Sequence, residues 1–392
     1  MNIYCKNTLN SELTSVVQRE LHKEVKKMPE KKQTKETKIA KTKKTLTKED
    51  LKEPQDDNWI DEIVSKKEKP VVKEKISDAP IRSIPGIGPA VAEKLMSAGY
   101  LTLTSVAHAS PMELVEFCEI GEQTANKIIS AARAQVGIGF KKASEILNLR
   151  EKVSKIPTGS KALDSLLMGG IETKSITELS GEFRTGKSQI CFQLCVNTAL
   201  DKKHGGLEAG VIFIDTEGTF RPERIIDMCS RFGKDVDTEE VLNRINVGRA
   251  YNSDHQMLLV LESPKIITEN NVKLIVIDSL TSHFRAEYTG KGTILERQQK
   301  LNKFLHQLLR LADVYDLAIV VTNQVQTKPD ILIGESTTPI GGNIVAHSCT
   351  TRIFLRKGKG DKRIARVIDS PSIPETEAIF RITKLGIEDV EE

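Results

Sequence analysis

The octapeptide Gly181-Glu182-Phe183-Arg184-Thr185-Gly186-Lys187-Ser188 constrains this chain more than any other feature, because of what flanks it. Before it, Ser175-Ile176-Thr177-Glu178-Leu179 alternates as a strand does; after it, Ile190, Cys191, Leu194 and Cys195 recur at helical spacing. G-x-x-x-x-G-K-[ST] between a strand and a helix predicts a phosphate cradle. Its glycines let backbone N–H groups converge on phosphate oxygens. Lys187 sets a compact positive charge at the β and γ oxygens, and the Ser188 hydroxyl can ligate Mg2+. Cys191 and Cys195 fall on the helix's apolar stripe and read as core.

Two further apolar runs end in acids. Val211-Ile212-Phe213-Ile214 leads into Asp215-Thr216-Glu217-Gly218, and Leu274-Ile275-Val276-Ile277 leads into Asp278-Ser279. Continuous apolar runs suit strands covered on both faces, hence a parallel α/β sheet with its ligand site at the strands' C-terminal ends. Asp278 then reads as the acid that holds the metal through water. Glu217 is the better candidate to deprotonate an attacking water, since hydrolysis needs a base not consumed by the metal. Asp215 is its rival, and at least one of the three acids is expected to be structural.

The rest of the chain sets limits. A length of 392 residues predicts two or three domains. No apolar run approaches the ~18–20 residues that cross a bilayer, and the charged N-terminus does not read as a secretory signal. Six cysteines without CxxC spacing suit a reducing, intracellular compartment. The net charge of +4 lies entirely in residues 1–80, where 19 Lys and Arg face 15 Asp and Glu; residues 81–392 are neutral. The tail, residues 1–78, is predicted to be a disordered, basic segment that adds weak, salt-sensitive DNA contacts. Around Trp59, the run from Asp56 to Val64 has helical spacing; it reads as residual local structure, or else as a short helix for a protein partner.

Residues 79–137 read as a small all-α domain. Ile84-Pro85-Gly86-Ile87-Gly88-Pro89 precedes one helical pattern at 90–98, and Ile120-Gly121-Glu122 precedes another at 123–134. This is the pattern of a helix-hairpin-helix pair. Glycines such as Gly86 and Gly88 leave N–H groups at a helix start free to face a nucleic-acid phosphate, which holds the backbone without reading bases. A linker at 138–156 follows, in which Phe140, taken alone, reads as a local core residue.

Beyond these motifs, residues 80–392 resemble the RecA-like strand-exchange recombinases, in the RadA branch shared by archaea and eukaryotes, with the archaeal members nearest. The resemblance rests on Pro157-Thr158-Gly159-Ser160, the phosphate loop, IDTEGTFRPER at 214–224, residues 308–313, TNQV at 322–325, PIGGN at 339–343 and LRKGKGD at 355–361. It implies a RecA-like P-loop ATPase core over 157–392 behind the helix-hairpin-helix domain. It implies ATP and Mg2+ as cofactors, single- and double-stranded DNA as partners, and self-assembly into a helical filament or ring. No membrane is involved, and the location would be cytoplasmic if archaeal, nuclear if eukaryotic.

Site by site, the resemblance implies that Glu217 is the catalytic base and that Gln324 couples nucleotide to DNA. Arg224 would lie against the adenine ring. Asp369 and Pro374 would belong to a cap that a neighbouring subunit sets over the ATP, and His347 would sense the γ-phosphate from across that interface. Phe140 and Ala143 become an F-x-x-A joint that adds a strand to the next subunit's sheet. DNA would be held by two loops. The first, 285–297, carries Arg285, Lys291 and Arg297. The second, 324–343, lacks helical or strand period and carries Lys328, Gly341, Gly342 and Asn343. The implied function is ATP-dependent homologous pairing and strand exchange in DNA repair. A mediator or paralogue of the same fold without strand exchange is the alternative, and a RecA-fold hexameric helicase or clock-type ATPase is disfavoured by the hairpin domain and the TNQV and PIGGN segments.

Overall fold

The computed structural model describes residues 81–233, 235–327 and 337–390. The expectations for the tail and Trp59, and for Lys328, lie outside the described residues.

Four helices come first: α1 (Pro89–Ser97), α2 (Leu103–Ala107), α3 (Pro111–Cys118) and α4 (Glu122–Val136). Thr102 and Ser110 start α2 and α3 with reciprocal capping bonds to Ser105 and Glu113, three residues on. In contrast, α1 and α4 start after Gly88 and Gly121 with no side-chain cap. Leu95, Leu103, Leu114, Ile128 and Ile129 give the four helices a core of their own. At the end of α4, Gly137 takes a left-handed φ of 70°, a turn glycine makes at little cost.

The linker contains a helix, α5 (Ala143–Arg150), so Ala143 is a first-turn residue within its own chain and not part of a strand. None of the residues of α5 is buried, and Phe140 just before it is fully exposed. Read alone, Phe140 suggested local core; the structure places nothing of its own chain over the ring.

Next come β1 (Lys155–Ile156), α6 (Lys161–Leu166) and β2 (Ile171–Glu172), the two strands forming an antiparallel pair. The large sheet then builds up from β3 (Ser175–Gly181), α7 (Lys187–Ala199), β4 (Gly210–Asp215), α8 (Pro222–Cys229), α9 (Thr238–Asn243) and β5 (Ile245–Arg249). It continues with α10 (Ser253–Glu269), β6 (Val272–Asp278), α11 (Ser282–Glu287), α12 (Ile294–Tyr315) and β7 (Ala318–Asn323). After β8 (Val325–Thr327), β9 (Thr337–Pro339) and α13 (Gly342–Ser348), it closes with β10 (Thr351–Lys357), β11 (Lys362–Asp369), β12 (Glu377–Thr383) and β13 (Gly386–Asp389).

The nine-stranded sheet runs β13-β12-β11-β10-β3-β7-β6-β4-β5, parallel from β10 to β5 and antiparallel from β10 to β13. This is an α/β fold with a helical domain ahead of it. Helices cover both faces, as the continuous apolar runs require: Leu194, Phe213 and Met228 pack on one side, and Ile275, Phe304 and Leu308 on the other. Among the described residues, no helix is long and apolar enough to cross a membrane.

At the centre of the sheet, β3 is buried throughout, polar residues included. Glu178 is wholly inaccessible and survives there because Arg352 Nε donates to it at 2.6 Å and Asn323 Nδ2 at 2.7 Å. Asn323 Nδ2 also donates to the Ile340 carbonyl at 2.6 Å. Buried charge therefore ties β3, β7 and β10 to the far end of the second predicted DNA loop.

Among the described residues, both loops carry more regular structure than their sequences suggest. In the second, β8 pairs antiparallel with β9, and Gly341 and Gly342 begin α13. Its glycines and proline hide a short ladder because pairing is set by the partner strand, not by periodicity. In the first, Arg285 lies in α11, Lys291 opens a 3-10 turn and Arg297 is already inside α12.

Candidate functional site

β3 ends at Gly181 and the chain turns through 182–186 into α7. Three residues in this turn take positive φ: Gly181 at 153°, Arg184 at 63° and Gly186 at 105°. Such alternation points successive N–H groups into one concavity, an anion nest at a helix N-terminus. A Cβ at Gly181 would lie 2.4 Å from the Leu355 carbonyl oxygen, so no other residue fits there. Gly181→Ala is expected to destabilise the fold by ~1–3 kcal/mol, read as a lowered Tm in a thermal melt; an unchanged Tm would contradict the strained turn.

Residues 181–184 and 186–189 line a cavity of about 560 Å3 together with Glu217, Thr219, Asp278, Ser279, Thr322, Gln324 and Val325. The C-terminal ends of β3, β4, β6 and β7 deliver these groups. Lys187 Nζ reaches back over the nest to the Gly181 and Glu182 carbonyls, at 2.8 and 2.9 Å. Burial lowers its pKa, while Asp278 and Glu217 act in the opposite direction. Thr185 Oγ1 donates to the Glu182 carbonyl and steadies the loop. Phe183 is largely exposed.

Asp278 is 4% exposed. Burial raises its pKa; the Ser188 and Thr322 hydroxyls beside it counter that, as Thr322 Oγ1 donates to its Oδ1 at 2.5 Å. Its other oxygen, Oδ2, is buried without a hydrogen bond, and Asp278 and Ser188 both line the cavity. An orphaned carboxylate oxygen next to a hydroxyl fits Mg2+. Among the described residues no cluster of three or more His, Cys, Asp or Glu could hold a metal alone, as expected of an ion that takes one or two protein oxygens and the rest from phosphates and water.

Hydrogen bonding sets Asp215 and Glu217 apart. Asp215 Oδ1 accepts from the N–H groups of Glu217, Gly218 and Thr219, at 3.0, 2.7 and 3.2 Å, and Oδ2 accepts from Phe220 N–H at 3.0 Å. The Asp215 carboxylate is thus engaged in holding the 217–220 turn. Glu217 is exposed to the cavity, and its Oε1 accepts from Gln324 Nε2 at 3.2 Å. Gln324 Oε1 in turn accepts from Arg285 Nη1 at 3.3 Å. One chain of contacts therefore runs from the acid at the phosphates to an arginine of the first predicted DNA loop.

Arg224 sits at the rim, where Nε donates to Gln189 Oε1 at 2.7 Å and Nη2 to the Thr383 carbonyl at 2.7 Å. These bonds fix the guanidinium beside the first turn of α7. Asp369, Pro374 and His347 do not line the cavity. Thr350, just after α13, bonds to Ile176 near the start of β3, and residues 371–373 lie against Thr177 there, whereas the phosphate loop leaves β3 at its other end. Gly86 and Gly88 stand before α1 with nothing within 4 Å of the Cβ either would carry, so the hairpin turn is open to solvent.

Sequence reasoning missed several groups that shape the site. Gln189 has no motif of its own. Glu178 and Arg352 pair from strands 174 residues apart. Arg249, against Asp215, is a lone arginine on a short strand.

Comparison with known families gives two matches. The Rad51 family model matches residues 149–390, and a SAM-like helix-hairpin-helix tandem model matches residues 79–134.

Proposed function

Because the chain belongs to the Rad51 family, we propose that it is an ATP-dependent DNA recombinase that forms filaments on single-stranded DNA and exchanges strands with a homologous duplex. LRKGKGDKRIARVID and ITKLGIED, residues 355–369 and 382–389, favour the archaeal RadA branch. The observation that carries the reading is the unbroken set of contacts Glu217–Gln324–Arg285, since it joins a hydrolytic site to a DNA-facing loop.

In this reading the nest at 181–186 binds the phosphates and Lys187 leaves its carbonyl partners for the β and γ oxygens. Ser188 and Asp278 would hold Mg2+, whose charge offsets that developing on the phosphates. Glu217 accepts a proton from the attacking water as the γ-phosphate departs, leaving ADP and phosphate. When a DNA phosphate draws Arg285 away, Gln324 loses one of its two partners, and the grip on Glu217 changes with it. Hydrolysis becomes responsive to DNA by this route. In the second loop, the open first turn of α13, with Gly342 and Asn343 exposed, offers backbone N–H groups to a phosphate without reading bases.

The cap and sensor residues support assembly. Asp369, Pro374 and His347 do not line the phosphate cavity of their own chain, which suits a role toward a nucleotide held by a neighbouring copy. Phe140, uncovered in its own chain, is the matching joint. With a nucleotide seated between copies, ATP binding itself stabilises the polymer.

The deciding assay is ATP-dependent pairing and strand transfer between single-stranded DNA and a homologous duplex by the purified chain alone. Assembly without transfer would reassign it as a mediator. Lys187→Ala is expected to weaken nucleotide binding at least ~10-fold, the loss of one charge-assisted bond, and with it nucleotide-dependent assembly. Titration with a fluorescent ATP analogue and light scattering read both; wild-type affinity would remove Lys187 from the phosphate site.

A further inference from the structure

Among the described residues, β5 is the last strand of the sheet and pairs only with β4. At its final residue, Arg249 stands directly opposite Asp215 in the ladder. Its Nη1 donates to Asp215 Oδ1 at 3.2 Å and approaches the Asp215 carbonyl at 3.4 Å, while the next residue, Ala250, donates its N–H to that same carbonyl at 2.9 Å. The end of β5 thus holds Asp215 by both its side chain and its main chain.

The guanidinium also fills the space beneath the turn that Asp215 organises. Gly218 has a φ of +72°, and a Cβ there would lie 3.1 Å from Arg249 Cζ and Nη1. Glycine is favoured there by the backbone conformation, and a side chain would also crowd the guanidinium packed against it. Thr216 and Glu217 lie between Asp215 and Gly218, so Arg249 contacts the turn both before and after Glu217. Its own carboxylate accepts a 3.2 Å hydrogen bond from Gln324 on an exposed side. A carboxylate that must face a water within hydrogen-bond reach needs its backbone fixed from behind, and Arg249 supplies that from outside the phosphate cavity, which it does not line.

We infer that Arg249 is a positioning residue for Glu217, acting through Asp215 and the Gly218 turn. The inference rests on the reading of Glu217 as the base. Arg249 touches neither the nest nor Lys187, so its loss leaves nucleotide binding in place and misplaces the acid. A displacement of about 1 Å at a reacting group costs on the order of 100-fold in rate.

The test uses the full-length chain as wild type, Arg249→Ala, Arg249→Lys and Asp215→Asn. Steady-state ATPase activity with saturating single-stranded DNA gives kcat and KM. Titration with a fluorescent ATP analogue gives Kd, and a thermal melt gives Tm. Arg249→Ala is expected to lower kcat by ~10–100-fold while KM and Kd stay within about threefold of wild type. Arg249→Lys is expected to fall between, since lysine keeps the charge but cannot both pair with the carboxylate and fill the space under Gly218. In the Arg249→Ala/Asp215→Asn double variant, the loss in kcat should be no larger than in the worse single variant, because both act on one turn.

A kcat for Arg249→Ala within about twofold of wild type overturns the inference. So does a fall in kcat matched by loss of nucleotide binding or by a collapse in Tm, which would make Arg249 a general structural residue. A wild-type chain that hydrolyses no ATP with DNA present overturns the reading of Glu217 itself. Normal wild-type turnover with undiminished Arg249→Ala activity overturns only the positioning role.

Discussion

Replacing Glu217 with Gln is expected to cut DNA-stimulated ATP turnover by ~10²–10⁴-fold while filaments still assemble in the presence of ATP. The amide matches the carboxylate in shape and can still accept from Gln324 Nε2, so the Glu217–Gln324–Arg285 contacts persist. What it loses is the capacity to take a proton. The nest, Lys187 and the Ser188–Asp278 corner are untouched, so KM and nucleotide affinity should hold. Filaments that no longer hydrolyse should also persist longer, because binding favours assembly and hydrolysis resets it. Phosphate-release kinetics with single-stranded DNA and negative-stain images of the same sample test both halves. Turnover within tenfold of wild type would deny Glu217 the role of base. Asp215 could not replace it, because five donors already occupy its carboxylate: four backbone N–H groups and Arg249.

The phosphate loop was legible in the sequence because its conformation demands particular residues: Gly181 and Gly186 stand where positive φ and crowding exclude other side chains. The parallel sheet was legible from runs such as 211–214 and 274–277, whose uninterrupted apolar character requires cover on both faces. Roles decided by long-range pairing were not. The difference between Asp215 and Glu217 was not legible either, since it depends on the folded turn that brings the N–H groups of residues 217–220 onto Asp215. Glu178 reads as an ordinary polar strand residue until Arg352 and Asn323 are brought against it. The ends of the second loop look structureless because β8 is only three residues long and acquires its order from β9, across a stretch of chain with no repeating pattern. The same holds for Arg249, whose partner lies 34 positions away.

Substituting Phe140 by Glu should leave soluble protomers with the wild-type Tm that form no filaments with ATP and single-stranded DNA. Phe140 is fully exposed, so within its own chain there is no packing to lose. The joint is uncovered well beyond that ring: α5 buries none of its residues and leaves Ile146, Leu147 and Leu149 exposed as well. A run of apolar side chains without cover on an ordered segment marks an interaction surface. At the other side of the sheet, β5 presents an unpaired edge with Val247 exposed, to which an extended segment from another copy could add as a strand. Burying a Phe side chain at such a joint contributes ~1.5–3 kcal/mol, and a buried carboxylate would forfeit that and add its own desolvation penalty. Each protomer contributes one joint, so the deficit recurs at every step of growth and the polymer fails altogether. ATP turnover should fall with it if, as proposed, Asp369, Pro374 and His347 serve the nucleotide of a neighbouring copy. Sedimentation velocity with a non-hydrolysable ATP analogue, alongside a thermal melt, separates loss of assembly from loss of folding. Filaments of ordinary length in this variant would remove Phe140 from the joint and leave the exposed face of α5 as the contact to test next.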